Sequence, residues 1–169
     1  MKVKLGILFI ILCAFINVGC SNKNENKNNK EISNNTSDLY KFRTKYIGDN
    51  SKVVSIASGI DYGKYFQYEQ IEIKTDLEPY ILKVKLKVNN DEKIDFFNQA
   101  VITFSLIDNL SNLEYINYET GDIIEKFTRE ECNNILKEKI AELNNLPQHF
   151  TIEKIGENKE NFSTFINNI

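Results

Sequence analysis

The chain has 169 residues, with 21 lysines and arginines against 24 aspartates and glutamates, one histidine and three cysteines. That length supports one core-bearing domain once a targeting segment is set aside, and two independent domains would each be too small. A formal charge of -3 at pH 7 argues against a polyanion-binding class, so no nucleic-acid partner is expected.

Met1-Lys2-Val3-Lys4 is a cationic start, Leu5–Ile16 is apolar, and Asn17-Val18-Gly19-Cys20-Ser21 follows. This is the plan of a signal peptide. The apolar run is shorter than the about 20 residues a permanent spanning helix needs, so it reads as a segment for removal. Small Gly19 before Cys20 resembles the lipobox of bacterial lipoproteins, where the thiol is diacylated and the chain is cut on its N-terminal side. Asn17 departs from the aliphatic residue usual three places before the cysteine, and bulky Leu12 makes Cys13 a poor competitor. The resemblance implies a signal peptide over residues 1–19, lipidation at Cys20, and a place on the extracytoplasmic face of the cell membrane. An ordinary secretory signal or an uncleaved anchor is the alternative. Two acyl chains provide stable anchoring at about 0.8 kcal/mol per buried methylene, so membrane lipid is the first partner. Cleavage would remove two positive charges, Lys2 and Lys4, and take the formal charge from -3 to -5. Cys132 would then be the remaining free thiol, and stability would come from packing.

Residues 20–37 follow as the acylated cysteine and an Asn/Lys-rich stretch in which Ile32 is the only apolar side chain. No core can form there, so a disordered tether with a span of about 20–25 Å is expected. Its mixed charges read as a solvated spacer.

Residues 38–169 are expected to form a single α+β domain. Asp49 or Asn50 can cap a helix running through Ser58, with Val53, Val54, Ile56 and Ala57 apolar and Gly59 ending it. Ile71 and Ile73 alternate with Glu72 and Lys74 as in a strand; after the turn Asp76-Leu77-Glu78-Pro79, Tyr80–Val88 alternates leucine and valine with Lys83, Lys85 and Lys87. The two read as an antiparallel hairpin with one wet face. From Ile94 to Leu110 the apolar spacing is helical, and Asp91-Glu92 suits the start of that helix. Leu113–Tyr118 reads as a strand. Thr128 and Glu131 fit a capping box opening a helix with the stripe Cys132, Ile135, Leu136, Ile140 and Leu143, stopped before Pro147. Phe162, Phe165, Ile166 and Ile169 suggest a short terminal helix. The architecture expected is helices on one face of a small, mainly antiparallel sheet.

Three stretches, Tyr46-Ile47-Gly48-Asp49-Asn50-Ser51 with Val53, Ile71–Tyr80, and Phe104–Asn109, together resemble an uncharacterised extracytoplasmic domain family of Gram-positive bacteria, domain of unknown function 4825. The likeness spans about Leu39 to Tyr118. Members of that family occur as small lipoproteins and attached to membrane metallopeptidases similar to the β-lactam-sensing antirepressor type. The resemblance implies an envelope setting, sensory or regulatory, and supplies no catalytic residues. This chain has no HExxH run, so peptidase activity does not transfer.

The residues that could carry chemistry each have a plainer role. His149 follows Pro147 with no partner motif and reads as structural rather than as a general base. Cys132 on an apolar stripe reads as a buried, inert thiol. Asp49 and Asn50 are caps or ligand contacts; Gly48 would then allow a tight entry. Asn109 suits a left-handed helix cap. Tyr62, Tyr65, Phe66 and Tyr68 cluster in the connection after the first helix, either covering the core edge or forming a recognition surface. Lys83, Lys85 and Lys87 read as a solvated face, an edge guard, or a surface toward anionic lipid or wall polymer. No catalytic residues, metal ligands or cofactor are expected, because no P-loop, dinucleotide fingerprint, EF-hand or zinc spacing occurs. The expected function is a membrane-anchored interaction or sensory accessory module with an envelope protein as partner. A binder of a small solute or cell-wall fragment is the alternative, ahead of an envelope enzyme.

Overall fold

Two antiparallel hairpins lie side by side in one sheet. The computed structural model describes residues 36–90, 94–143 and 146–169, without the side chains of 142 and 143; Cys20, the segments around it, Asp91-Glu92 and the side chain of Leu143 fall outside the described residues. Strand β1 (Phe66–Lys74) pairs with β2 (Ile81–Val88), and β3 (Asn112–Asn117) with β4 (Ile123–Thr128). The order is β1-β2-β3-β4, with β2 and β3 parallel. A parallel junction needs a crossover connection, here containing α2 (Phe97–Leu106). The remaining helices are α1 (Asn50–Gly59), α3 (Arg129–Leu143), α4 (Ile152–Glu157) and α5 (Lys159–Ile166); a 3-10 turn, Asp38–Phe42, precedes them. The fold is α+β with a mixed, mostly antiparallel sheet.

Alternation decides the faces of the sheet. Leu82, Val84 and Leu86 on β2, with Leu113 and Tyr115 on β3, are fully buried in the core beneath the helices. On the other face the register sets Glu72, Lys83, Glu114 and Lys126 in one row across all four strands, an alternation of opposite charges of the kind that stabilises cross-strand pairs. Lys83 Nζ lies 3.5 Å from Glu114 and Lys85 Nζ 3.2 Å from Glu72. Two readings of the lysine row change as a result. Strand β2 is central, so the row guards no edge, and with Lys83 and Lys85 paired it does not present an unopposed basic surface.

Helix α2 is shorter than the Ile94–Leu110 pattern suggested. Asp95 Oδ1 accepts from the Phe97 N–H at 2.8 Å and sets its start, and Ile107 is already extended. Every residue from Ala100 to Ile107 is buried, as befits a helix that is apolar nearly all round. Its two hydroxyl residues are tolerated because Thr103 donates to Gln99 O (2.8 Å) and Ser105 to Ile102 O (2.9 Å). Phe96, just before it, stacks on Tyr115 with ring centroids 4.7 Å apart. Its N–H donates to Glu125 Oε2 at 3.0 Å.

Burial raises the Glu125 carboxyl above its ordinary range, the Phe96 N–H opposes this, and Asp95 adds to the rise. A carboxyl raised on folding binds its proton more tightly in the folded state, so its contribution is present below the unfolded value and lost as pH climbs through the folded one. Glu125→Gln keeps an acceptor for the Phe96 N–H and abolishes the charge. The variant is expected to hold its urea midpoint at neutral pH and to lose the decline just above the ordinary carboxylate range; an unaltered slope would refute the assignment.

Candidate functional site

The end of the sheet where β2 and β3 begin and β4 finishes gathers the three stretches singled out from the sequence. Arg43 Nη2 forks onto both Asp108 oxygens at 2.8 and 3.0 Å. The Ile47 N–H donates to Asn109 Oδ1 at 2.7 Å. Thr44 lies in a parallel bridge with Ile107, donating its N–H to Leu106 O and accepting from the Asp108 N–H. Tyr80, after a cis Glu78-Pro79 bond, accepts from the N–H groups of Ser111 (3.3 Å) and Asn112 (3.0 Å). Asn109 therefore fastens a distant turn instead of closing a helix, and the left-handed cap expected for it is not its role.

Arg129 holds this corner together. Its Nε donates to Leu110 O at 2.9 Å, and its Nη2 to Phe104 O at 2.9 Å and Ile107 O at 2.7 Å. Its Nη1 donates to Glu153 at 3.3 Å, and the guanidinium carbon sits 5.3 Å from the Phe104 ring centroid. The carbonyls are those left open where α2 ends. Burial pulls the guanidinium below its ordinary value, against the pull of Glu153, yet arginine stays a cation in proteins. Sequence reading missed Arg129, although one signal was present: a cation in the first turn of a helix opposes the macrodipole. The Thr128 capping box beside it forms as expected. The Thr128 N–H and Oγ1 donate to Glu131 at 3.0 and 2.9 Å, the Glu131 N–H donates to Thr128 Oγ1 at 3.1 Å, and these bonds hold the Glu131 carboxyl below its ordinary range.

An open groove of about 800 Å³ runs along this corner, lined among others by Glu78, Asp108, Asn109, Asn112, Arg129, Glu130, Asn134 and Lys137. Its volume is within the about 300–1,000 Å³ typical of ligand clefts. A smaller depression of about 250 Å³ adjoins it across the paired residues Asn112 and Thr128 and reaches Glu114 and Lys126 on the outer face. Two exposed apolar side chains flank the groove. Leu77, 83% exposed, precedes Glu78, and Tyr46, 66% exposed, precedes the Ile47 tied to Asn109.

The other sequence-selected residues lie elsewhere. Phe66 and Tyr68 belong to β1 rather than to a connecting loop. Tyr62 and Phe66 are core residues: Tyr62 donates its hydroxyl to Ala57 O at 2.8 Å, burial raises its pKa, and Phe66 meets Phe96 edge to face. Tyr65, with Lys64 Nζ over its ring at 4.4 Å, and Tyr68 are half-buried; these two are the part of the cluster a partner could reach. Asp49 occupies the cap position of α1 without a side-chain bond to the helix N–H groups. It accepts instead from Ser51 Oγ at 3.2 Å and pairs with Lys52 at 3.5 Å, while Asn50 is exposed. A Cβ on Gly48 would meet nothing within 4 Å, so no tight entry requires glycine there. Cys132 is buried, and burial pushes its thiol up to about 12, leaving it protonated and inert. His149 is exposed and edge-on to Phe150.

Among the described residues there is no group of three or more histidine, cysteine or acidic side chains arranged to hold a metal ion, and no helix is long and apolar enough to cross a membrane. The class defined by these features is an α+β domain on a four-stranded mixed sheet with a polar groove at one sheet end. Residues 39–130 match the family model described as Domain of unknown function (DUF4825), and the chain belongs to that family. The matched segment contains all four strands, α1, α2 and the first turn of α3 with Arg129. Comparison with curated proteins and with solved structures found no match.

Proposed function

We propose that this protein is a lipid-anchored extracytoplasmic component of the Gram-positive cell envelope whose domain serves as an interaction or sensory accessory module and catalyses no reaction. The observation that carries the reading is the N-terminal plan, a cationic start, a short apolar run and Gly19 before Cys20. Acylation there would confine the domain to the surface that carries its partner, which raises effective concentration without any new contact. Membership of the DUF4825 family supports an envelope setting through its likeness to small lipoproteins and to domains attached to sensory metallopeptidases. A binder of a small solute or wall fragment is the second reading, favoured by the volume of the groove.

Cells fed labelled palmitate are expected to place the label on the wild-type protein and none on Cys20→Ser, which should accumulate as unprocessed precursor or shed material. Equal labelling of both, or an unmodified Cys20 in the membrane fraction, would overturn the anchor and the proposal with it.

A further inference from the structure

The charges around the groove select among ligands. Five carboxylates and three cations line the groove and its adjoining depression. Asp108 is held by Arg43, Glu131 by the Thr128 cap, and Glu114 by Lys83. Glu78 and Glu130 have no ion pair among the described residues, and the Arg129 charge is already met by three carbonyls and Glu153. Phosphate-bearing polymers and acidic peptides would therefore meet repulsion. No aromatic ring lines the main groove to stack on a sugar.

A cation flanked by apolar groups fits better. Single exposed apolar residues are ordinary on protein surfaces, but Leu77 and Tyr46 are the two most exposed large apolar side chains among the described residues, and both border this groove. The amide nitrogen of Asn109, whose oxygen is taken by Ile47, and the side chain of Asn134 remain available to pair with a peptide backbone. We propose that the groove docks an extended segment of a protein partner in which lysine or arginine alternates with apolar side chains. The cation would sit between Glu78 and Glu130, and the apolar side chains would rest on Leu77 and Tyr46. This deepens the module reading by naming the partner's chemistry, and the docking itself does not depend on Cys20 being acylated.

The test uses the isotope-labelled full chain in detergent micelles, followed by amide chemical shifts. The probes are a tetrapeptide alternating leucine and lysine, its leucine-glutamate counterpart, an N-acetylglucosamine oligomer and inorganic phosphate. Saturable shifts are expected at Glu78, Asn109, Asn112 and Glu130 with the lysine peptide alone, and the E78Q/E130Q double variant should weaken that binding about tenfold or more. Both side chains are exposed, so spectra away from the groove should not change and will report an intact fold. Shifts produced by the sugar oligomer, phosphate or glutamate peptide, shifts spread over all acidic surface residues, or binding that survives the double substitution would each overturn the proposal. Palmitate labelling judges the anchor separately, so loss of one idea does not imply loss of the other.

Discussion

Gly156→Ala is expected to lower domain stability by about 2 kcal/mol, although alanine is the better helix former. In an exposed helix interior the exchange would gain about 1 kcal/mol. Here a Cβ would fall inside the contact shell of the Ser105 carbonyl oxygen, with the Ser105 carbonyl carbon and Cα close behind. Those atoms are backbone of the buried helix α2, which cannot turn aside as a side-chain tip can. Overpacking of this kind costs about 1–3 kcal/mol, and a rigid backbone contact belongs at the upper end, so the steric loss exceeds the helix gain. The displacement would also disturb the bond from the Tyr40 hydroxyl to Gly156 O at 3.3 Å and the packing of Tyr40 on Phe162. The urea midpoint of unfolding measures the effect. Gly48→Ala is the control: with open space around its Cβ it should stay within about 0.5 kcal/mol of wild type. Equal midpoints for the two variants would mean that α4 does not rest on α2 through this glycine.

The parts of the fold that were legible share one property: their pattern is local and unbroken. Leucine and valine alternating with lysine announced β2, and Thr128 with Glu131 announced the start of α3, whose residues Cys132, Leu136 and Ile140 are buried as their spacing required. Strand β4 was missed because its period is broken by function-neutral chemistry. Glu125 pairs with Tyr115, in the row that faces the core, so a charge stands where an apolar residue would have shown the alternation. The Phe96 N–H it accepts makes that placement tolerable. The turn before β4 did carry a signal: Gly121 has φ 78°, a left-handed conformation that glycine adopts freely. Helix α4 is only six residues long and has glycine inside it, so propensity argued against it; packing on α2 overrides propensity.

At the corner the difficulty was different. The stretches around Tyr46, Pro79 and Asp108 were each visible, but each was given a local role, as a cap or a turn. Arg43 and Asp108 are 65 residues apart, and Ile47 and Asn109 are 62 apart. Asparagine and aspartate bond readily to nearby backbone, so cap readings are the natural ones when tertiary partners are unknown. No pattern in a single chain distinguishes an aspartate held by its own helix from one held by a distant guanidinium.

Arg129→Ala should be the more damaging substitution, with an expected loss of about 3–5 kcal/mol, the range for removing one partner of a buried charge-bonded set. Carbonyls of Phe104, Ile107 and Leu110 would lose their donor together, and buried unpaired carbonyls cost far more than a hydrogen bond gains. Position 129 at the start of α3 is unfavourable for a cation by about 0.3–1 kcal/mol. The same charge faces the negative C-terminal end of α2, where it is favourable and where the hydrogen bonds are. The second helix wins, which explains why arginine occupies a place that the first would reject. Arg129→Lys is therefore the sharper experiment. Lysine keeps the charge but lacks the planar fork that reaches three carbonyls and Glu153 at once, so it should recover less than half of the loss in urea midpoint. Hydrogen exchange at the Ile107 amide, bonded to Thr103 O at 3.2 Å, should quicken in both variants as the end of α2 frays. If lysine restored wild-type stability, charge alone would suffice and the fork would be incidental. If it does not, the wall of the groove from Asp108 to Asn112 owes its shape to one side chain, and residues that never touch a ligand would decide whether the groove can receive one.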